Sequence, residues 1–183
     1  MKTITFFGSG REKENITIPA PEINSVVALV SRYYRRVLFG GTNIGFMGEF
    51  AESCVSHNME VESVLPGWFI EKHPELIFKK AKEVIVDSLS ERKRYLSNTD
   101  AVLCYPGGVG TLDELFDIIA RISLGEIAVV PIFLYNHERF YSPLLLQIEY
   151  GVKTGIIKVE TQSFIHTFEH VDQLEVLLKK ENL

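Results

Sequence analysis

Cysteine is scarce in this sequence, with two residues, Cys54 and Cys104, among 183. No Cys-x-x-Cys pair occurs, and the five histidines show no spacing typical of metal ligands. The sequence therefore predicts neither a disulfide framework nor a metal site. Cys104 lies within an apolar run, where a buried free thiol is the ordinary state.

Long apolar runs and an excess of basic residues are also missing. No stretch approaches the roughly 20 apolar residues that cross a bilayer, and the apolar start at 3–7 is too short for a signal peptide. The formal net charge is -5, which argues against a nucleic-acid surface but allows a local basic pocket. We therefore expect a cytoplasmic protein with neither a membrane nor a nucleic-acid partner.

Hydrophobic residues make up 46% of the chain and charged residues 23%, an ordinary globular balance. Short β-branched runs alternate with stretches of helical period, which is typical of βαβ units. We predict one domain over 1–183, a doubly wound α/β fold with a parallel sheet flanked by helices. The predicted strands are 3–7, 37–39, 60–65, 83–86, 101–105, 127–135 and 164–167. The predicted helices are 22–36, 45–57, 88–98, 111–124, 143–153 and 171–180, with a short helix inside the irregular segment 68–80.

Three predicted strands end directly in glycine-rich turns, at Gly8, at Gly40-Gly41 and at Gly107-Gly108. In an open parallel sheet, ligands bind outside the carboxyl ends of the strands. A turn without side chains lets backbone N–H groups approach an anion, and the following helix adds the positive end of its dipole. The pattern predicts an anion site at this edge of the sheet.

The segment 106–114, Pro-Gly-Gly-Val-Gly-Thr-Leu-Asp-Glu, is the strongest local signal. It connects a buried strand to the amino terminus of a helix, where unpaired N–H groups and the Thr111 hydroxyl can hold a phosphate. It is neither a Walker A loop nor a GxGxxG fingerprint. Two hypotheses apply to Glu114. It is a catalytic carboxylate, or it completes a capping box that begins at Thr111.

Three basic residues, Arg92, Lys93 and Arg94, lie in the predicted helix 88–98. Cations near a helix amino terminus oppose the helix dipole, so local stability does not favour them there. They either serve the anion site or form a salt-bridged surface.

Taken together, Arg92-Lys93 and the segment 106–114 resemble the signature of the Lonely Guy (LOG) family of cytokinin-activating phosphoribohydrolases, whose members are often labelled lysine decarboxylases. The resemblance extends to the turns at Gly8-Ser9 and 40–48 and to the segment 136–145. It covers roughly residues 3 to 157. The sequence departs from the family pattern at Thr42, where a third glycine is usual.

The resemblance implies a Rossmann-like domain, usually a homodimer, that hydrolyses the N-glycosidic bond of N6-modified AMP to the free base and ribose 5-phosphate. It implies no metal and no organic cofactor, and related members act on other nucleoside 5′-monophosphates. The implied catalytic residues are Arg92 and Glu114. The implied phosphate- and substrate-binding residues are Gly8, Ser9, Gly41, Lys93, Gly107, Gly108, Gly110 and Thr111.

An alternative from another class is a non-catalytic carrier of a nucleotide or cofactor that uses the same glycine loops. Arg92 and Glu114 separate the two, because a pure carrier needs no acid at the mouth of a phosphate site. An acid there repels the phosphate, a cost that catalysis would explain. Trp68 either stacks on a base or covers the edge of the core.

The helix 111–124 carries two further patterns. Asp117 and Arg121, four residues apart, predict a surface ion pair. The apolar positions either form a dimer interface or pack against the sheet; they are Leu115, Ile118, Ile119 and Ile122.

Overall fold

The computed structural model describes residues 1–11 and 15–182. All seven strands belong to one sheet, and every pairing in it is parallel. The strands are β1 (Thr3–Phe7), β2 (Arg36–Phe39), β3 (Glu60–Pro66), β4 (Lys82–Val86), β5 (Ala101–Cys104), β6 (Ile132–Tyr135) and β7 (Ile165–Phe168). Their order across the sheet is β4-β3-β2-β1-β5-β6-β7. The predicted parallel sheet is confirmed.

Helices cover both faces of the sheet, which confirms the doubly wound fold. They are α1 (Ala20–Val30), α2 (Gly45–Ser56), α3 (Gly67–Lys72), α4 (Leu89–Leu96), α5 (Val109–Ser123), α6 (Ser142–Lys153) and α7 (Val171–Glu181). One apolar core lies under α1, α2 and α7, and the other lies under α4, α5 and α6. None of these helices is long and apolar enough to cross a membrane.

The order of the strands creates a crevice beside β1. The chain builds outward from β1 to β4 and then returns to place β5 on the other side of β1. The loops after β1 and β5 therefore leave toward opposite faces, and ligands bind at such a switch point in open α/β sheets. Two backbone bonds hold the loops together: Tyr105 N–H donates to Phe7 O at 2.8 Å, and Ser9 N–H donates to Pro106 O at 3.1 Å.

Two predicted boundaries are wrong by more than two residues, each because a turn takes over the chain. The first helix ends at Val30 rather than at 36, because Arg32 N–H and Tyr33 N–H bond to carbonyls only three residues back, on Leu29 and Val30, and form a turn. The sixth strand begins at Ile132 rather than at 127. Glu126 N–H donates to Arg121 O at 2.9 Å, so the residues after α5 close that helix before the strand starts.

The apolar positions of α5 settle one of the open alternatives. Leu115, Ile118, Ile119 and Ile122 are each 7% exposed or less and belong to the core. The interpretation of these four residues as a dimer interface is therefore wrong, and packing against the sheet is confirmed. The outer face of α5 is also apolar in part, since Phe116 is 43% exposed.

Candidate active site

The loop after β5 leaves the amino terminus of α5 open. Gly108 is the N-cap of the helix and provides no side-chain cap, and the first helical bond runs from Leu112 N–H to Gly108 O. The N–H groups before Leu112 have no partner within the helix. Gly108 and Gly110 are exposed, and a Cβ added to either would have nothing within 4 Å. This end of α5 is therefore an uncovered row of donors with the positive end of a helix dipole behind it.

Gly107 has a different reason to be glycine. A Cβ at this position would collide with the side chain of Thr111, which is 5% exposed and folds back under the loop. The Thr111 side chain therefore packs on the inner side of the turn, and Gly108 and Gly110 form the outer surface of the turn.

The capping-box hypothesis for Glu114 is wrong. The helix begins at Val109, so Thr111 is its third residue and cannot be the N-cap. Glu114 lies one turn further in, beyond reach of the N–H group that a capping box would require. Its carboxylate contacts Arg92 instead.

Arg92 and Glu114 form a buried ion pair. Arg92 Nη1 donates to Glu114 Oε1, and Arg92 Nε donates to Val64 O at 2.9 Å. The two side chains are 14% and 10% exposed. The guanidinium lies over Gly40, because a Cβ there would be 2.5 Å from Arg92 Nη2. The end of β2 therefore makes room for the arginine, and the end of β3 orients it.

Burial is the main influence on the Glu114 carboxyl group and raises its pKa, while the charge and hydrogen bond of Arg92 act in the opposite direction. The net pKa is raised, so the group is suited to proton transfer as well as to charge stabilisation. Because the folded pKa exceeds the unfolded one, the folded state binds more protons. Glu114 therefore contributes to the free energy of unfolding at low pH, and this contribution is lost as the pH rises through the folded pKa.

The three basic residues that are adjacent in sequence separate in the structure. Arg92 turns toward the sheet, and Arg94 is exposed. Lys93 Nζ lies 2.9 Å from Asp113 and 3.7 Å from Asp117, and the hydrogen bond to Asp113 is the main cause of its raised pKa. Lys93 therefore forms salt bridges, as one of the two hypotheses predicted. Its role in substrate binding remains a prediction.

The position of these residues in α4 differs from the prediction. The helix has eight residues, and Lys93 and Arg94 lie in its last turn, so the helix dipole does not oppose them there. The predicted pair of Asp117 and Arg121 is confirmed, with Oδ2 and Nε 2.6 Å apart.

The two remaining glycine turns complete the edge of the sheet. Gly8 is buried against Phe6 and Tyr105, and Ser9 lies beside Pro106 at the loop after β5. Gly41 has a φ of 91°, and a Cβ there would lie 2.6 Å from Leu65. The structure thus places the turn at Gly8 and Ser9 directly against the loop after β5, while Gly41 packs against β3.

A set of polar contacts behind the loop was not predicted from the sequence. Tyr141 OH donates to Tyr105 O at 2.7 Å, and Tyr141 N–H donates to Asn136 Oδ1 at 2.8 Å. These buried groups fix the chain as it leaves β5. The segment 136–145 resembles the family pattern, but its sequence did not indicate that Tyr141 bonds to the backbone after β5.

Trp68 lies in α3, just after β3, and is 50% exposed. Its ring makes an edge contact with Phe69 at 6.0 Å between centroids. The ring does not cover the core, and its stacking on a base remains a prediction.

The chain matches known proteins over most of its length. The sequence model of the family described as "Possible lysine decarboxylase" matches residues 47–178. A cytokinin riboside 5'-monophosphate phosphoribohydrolase of Rhodococcoides fascians is 32% identical over 136 residues, 73% of this chain and 68% of that protein. One of Arabidopsis thaliana is 32% identical over 146 residues, 79% of this chain and 61% of that protein. The chain thus spans about two thirds of the length of these relatives.

Two solved structures share the fold at low sequence identity. The molybdenum cofactor binding protein of Rippkaea orientalis has a TM-score of 0.67 and is 16% identical, covering 98% of this chain and 96% of its own. The molybdenum cofactor carrier protein of Chlamydomonas reinhardtii has a TM-score of 0.68 and is 16% identical, covering 98% and 97%. At this identity the likeness extends to the fold alone.

The geometry predicts how the pKa of Glu114 depends on Arg92. In Arg92→Met the carboxyl group stays buried while the neighbouring positive charge is removed, so its pKa should rise further. We expect a ¹³C NMR titration of the Glu114 carboxyl carbon to move upward by about one pH unit or more. The exposed-site control Arg94→Met should leave the titration unchanged. Coincident titrations of the parent and Arg92→Met would contradict the pairing.

Proposed function

The chain belongs to the Lonely Guy (LOG) family of phosphoribohydrolases, and from that premise we propose that it hydrolyses the N-glycosidic bond of a nucleoside 5′-monophosphate. The products are a free base and ribose 5-phosphate, and AMP or an N6-modified AMP is the proposed substrate. The observation that carries the proposal is the buried pair of Arg92 and Glu114, one helical turn from an open helix amino terminus.

The phosphate binds at the amino terminus of α5. The proposed donors are the N–H groups of Gly108 and Gly110 together with the neighbouring backbone, and Gly107 and Thr111 shape the turn. Anions are stabilised at such a site by both the unpaired donors and the helix dipole. In the proposed complex Gly8, Ser9, Gly41 and Lys93 line the edges of the substrate site.

The reaction develops positive charge on the ribose as the bond to the base breaks. Glu114 lies four residues after Gly110 on the same helix, about 6 Å further along its axis. A ribose whose phosphate is bound at the helix terminus can therefore reach this carboxylate. Glu114 stabilises the developing charge or activates the attacking water, and its raised pKa suits it to proton transfer.

Arg92 has two roles in this proposal. It holds the Glu114 carboxylate in one orientation, because its own guanidinium is fixed by Val64 O and by the space over Gly40. It also supplies a positive charge near the phosphate, where a planar guanidinium can pair with two oxygens. The proposed chemistry needs no metal and no organic cofactor, since these groups provide both charges.

The carrier alternative explains less of the site. A carrier needs the open helix terminus but has no use for a buried acid beside it, because that acid weakens phosphate binding. The structures named as molybdenum cofactor proteins share the fold at 16% identity, which does not favour carriage by this chain.

The proposed dependence of the cleavage rate on the substrate's 5′-phosphate can be measured directly. AMP should be cleaved at least about a hundredfold faster than adenosine in kcat/KM, because the nucleoside lacks the charge-assisted contacts at α5. The measurement is release of free adenine by each compound at equal enzyme concentration. Equal rates for AMP and adenosine would rule out a phosphate site at this loop.

We also propose that the protein is a cytoplasmic homodimer whose interface lies on the outer face of α5. Val109 is 84% exposed and Phe116 43%, and they lie on one side of the helix with Leu112, which also packs against the core, between them. The stripe borders the open helix terminus, so a second copy packed on it would help to enclose the substrate. Symmetric pairs of this kind are the commonest oligomers. The buried free thiols Cys54 and Cys104 suit a reducing compartment.

A charge on the α5 stripe should separate the two copies. Phe116→Glu places a carboxylate in the proposed apolar contact, and we expect light scattering at micromolar concentration to change from twice the chain mass of 20.8 kDa to a single chain mass. Leu146→Glu, at a 65% exposed position on α6, is the control and should remain dimeric. A parent protein that scatters as a monomer would refute the proposed dimer.

A further inference from the structure

The helix that carries Arg92 has little apolar packing to hold it. Of the eight residues of α4, Leu96 alone is buried, while Leu89 is 53% exposed. A helix of this length is not stable on its own sequence and depends on its contacts with the rest of the fold. Polar side chains therefore add to the packing of Leu96 and of the partly buried Tyr95 ring in setting the position of Arg92.

Two side chains of α4 bind to the same strand. Arg92 Nε donates to Val64 O at 2.9 Å, and Tyr95 OH donates to Glu62 Oε2 at 3.1 Å. Arg92 and Tyr95 are three residues apart and so neighbour each other on the helix. Glu62 and Val64 are two apart and so lie on the same face of β3. The two bonds together fix both the position of α4 along β3 and its rotation about its own axis.

Glu62 is an unusual residue for this place. It is 4% exposed in the interior of the sheet, where a carboxylate is costly unless it is paired. Lys82 Nζ, on the edge strand β4, lies 2.9 Å from Glu62 Oε1, and Arg36 Nη1 lies 4.0 Å from it. The carboxylate therefore has one oxygen for the lysine and the other for Tyr95.

The protonation states fit this arrangement. Burial acts to raise the pKa of Glu62, but the hydrogen bonds from Lys82 and Tyr95 outweigh it and the net pKa is lowered. Burial, followed by the bond to Glu62, raises the pKa of Tyr95. The phenol thus keeps its proton and donates it to a charged acceptor, which is the stronger kind of hydrogen bond.

We propose that Tyr95 and Glu62 are positioning residues for Arg92, which they align with Glu114 by fixing α4 on β3. The proposal rests on the proposed phosphoribohydrolase function for its effect on turnover, while its effect on the arginine itself is independent of any substrate. The polar partners of Glu62 are Lys82, Arg36 and Tyr95, which lie outside the loop after β5, so we place the effect of both residues on Arg92.

Tyr95→Phe tests this role, because it removes one hydroxyl and keeps the ring. We expect kcat for AMP to fall by about tenfold or more, with KM within about twofold, since small displacements of a catalytic group lower the rate more than binding. Tyr150→Phe, at a 63% exposed position, is the matched control and should keep parental kcat. In Arg92→Ala, adding Tyr95→Phe should cause no further loss, because the tyrosine acts through the arginine.

Rescue separates alignment from general stability. Glu62→Gln keeps an oxygen that can accept from Tyr95 and should retain more activity than Glu62→Leu at equal thermal stability. The proposal would be overturned if the loss of kcat caused by Tyr95→Phe were just as large in Arg92→Ala as in the parent. It would also be overturned if kcat simply followed the melting temperature across all these variants.

A second readout needs no activity. The Arg92 Nε–H is bonded to Val64 O, so its exchange with solvent, followed by ¹⁵N NMR, should be slow in the parent and at least about tenfold faster in Tyr95→Phe. Unchanged exchange together with unchanged kcat would overturn the proposal. If the parent cleaves neither AMP nor N6-modified AMP but the exchange still accelerates, the proposed function fails and the positioning of Arg92 by Tyr95 is supported.

Discussion

A buried carboxylate facing a buried guanidinium is the arrangement on which the site depends. Removing either charge from water is costly, and the pair is tolerated because the two charges meet and the arginine also bonds to a backbone carbonyl. Arg92 reaches a backbone carbonyl of β3 and lies over a glycine that ends β2. Glu114 is carried by α5, whose start one turn earlier is left open by exposed glycines. Three strands, β2, β3 and β5, therefore contribute to one ion pair and to the donors beside it.

The topology supplies the place for that pair, and the side chains supply the chemistry. Because β5 returns to the side of β1, the loops at Ser9 and Pro106 meet at the carboxyl edge and diverge to opposite faces. This crevice is general to open α/β sheets and does not by itself imply a reaction. In the proposed function, the buried acid one turn from the open helix terminus is what distinguishes hydrolysis from binding. The relatives named as phosphoribohydrolases agree with the same conclusion.

Much of the fold could be predicted because strands and glycine turns are local signals. The parallel sheet and the ends of β1 and β2 at glycines followed from short-range patterns. The errors arose where local patterns compete with tertiary contacts. The motif at Thr111 fits a capping box, but the helix starts earlier and directs Glu114 to a partner 22 residues away. The bond between Tyr95 and Glu62 spans 33 residues, and no periodicity in the sequence indicates it.

The central claim is that the Glu114 carboxylate acts in cleavage of the N-glycosidic bond. Glu114→Gln keeps the size of the side chain and an oxygen for Arg92 but removes the charge. The decisive measurement is release of free base from a panel of nucleoside 5′-monophosphates, beside thermal melting, for the parent, for Glu114→Gln and for the exposed control Glu149→Gln. The account predicts near-parental melting of Glu114→Gln with base release lowered by about a hundredfold or more, and no change in the control. A Glu114→Gln protein that melts normally and releases base at the parental rate would contradict it.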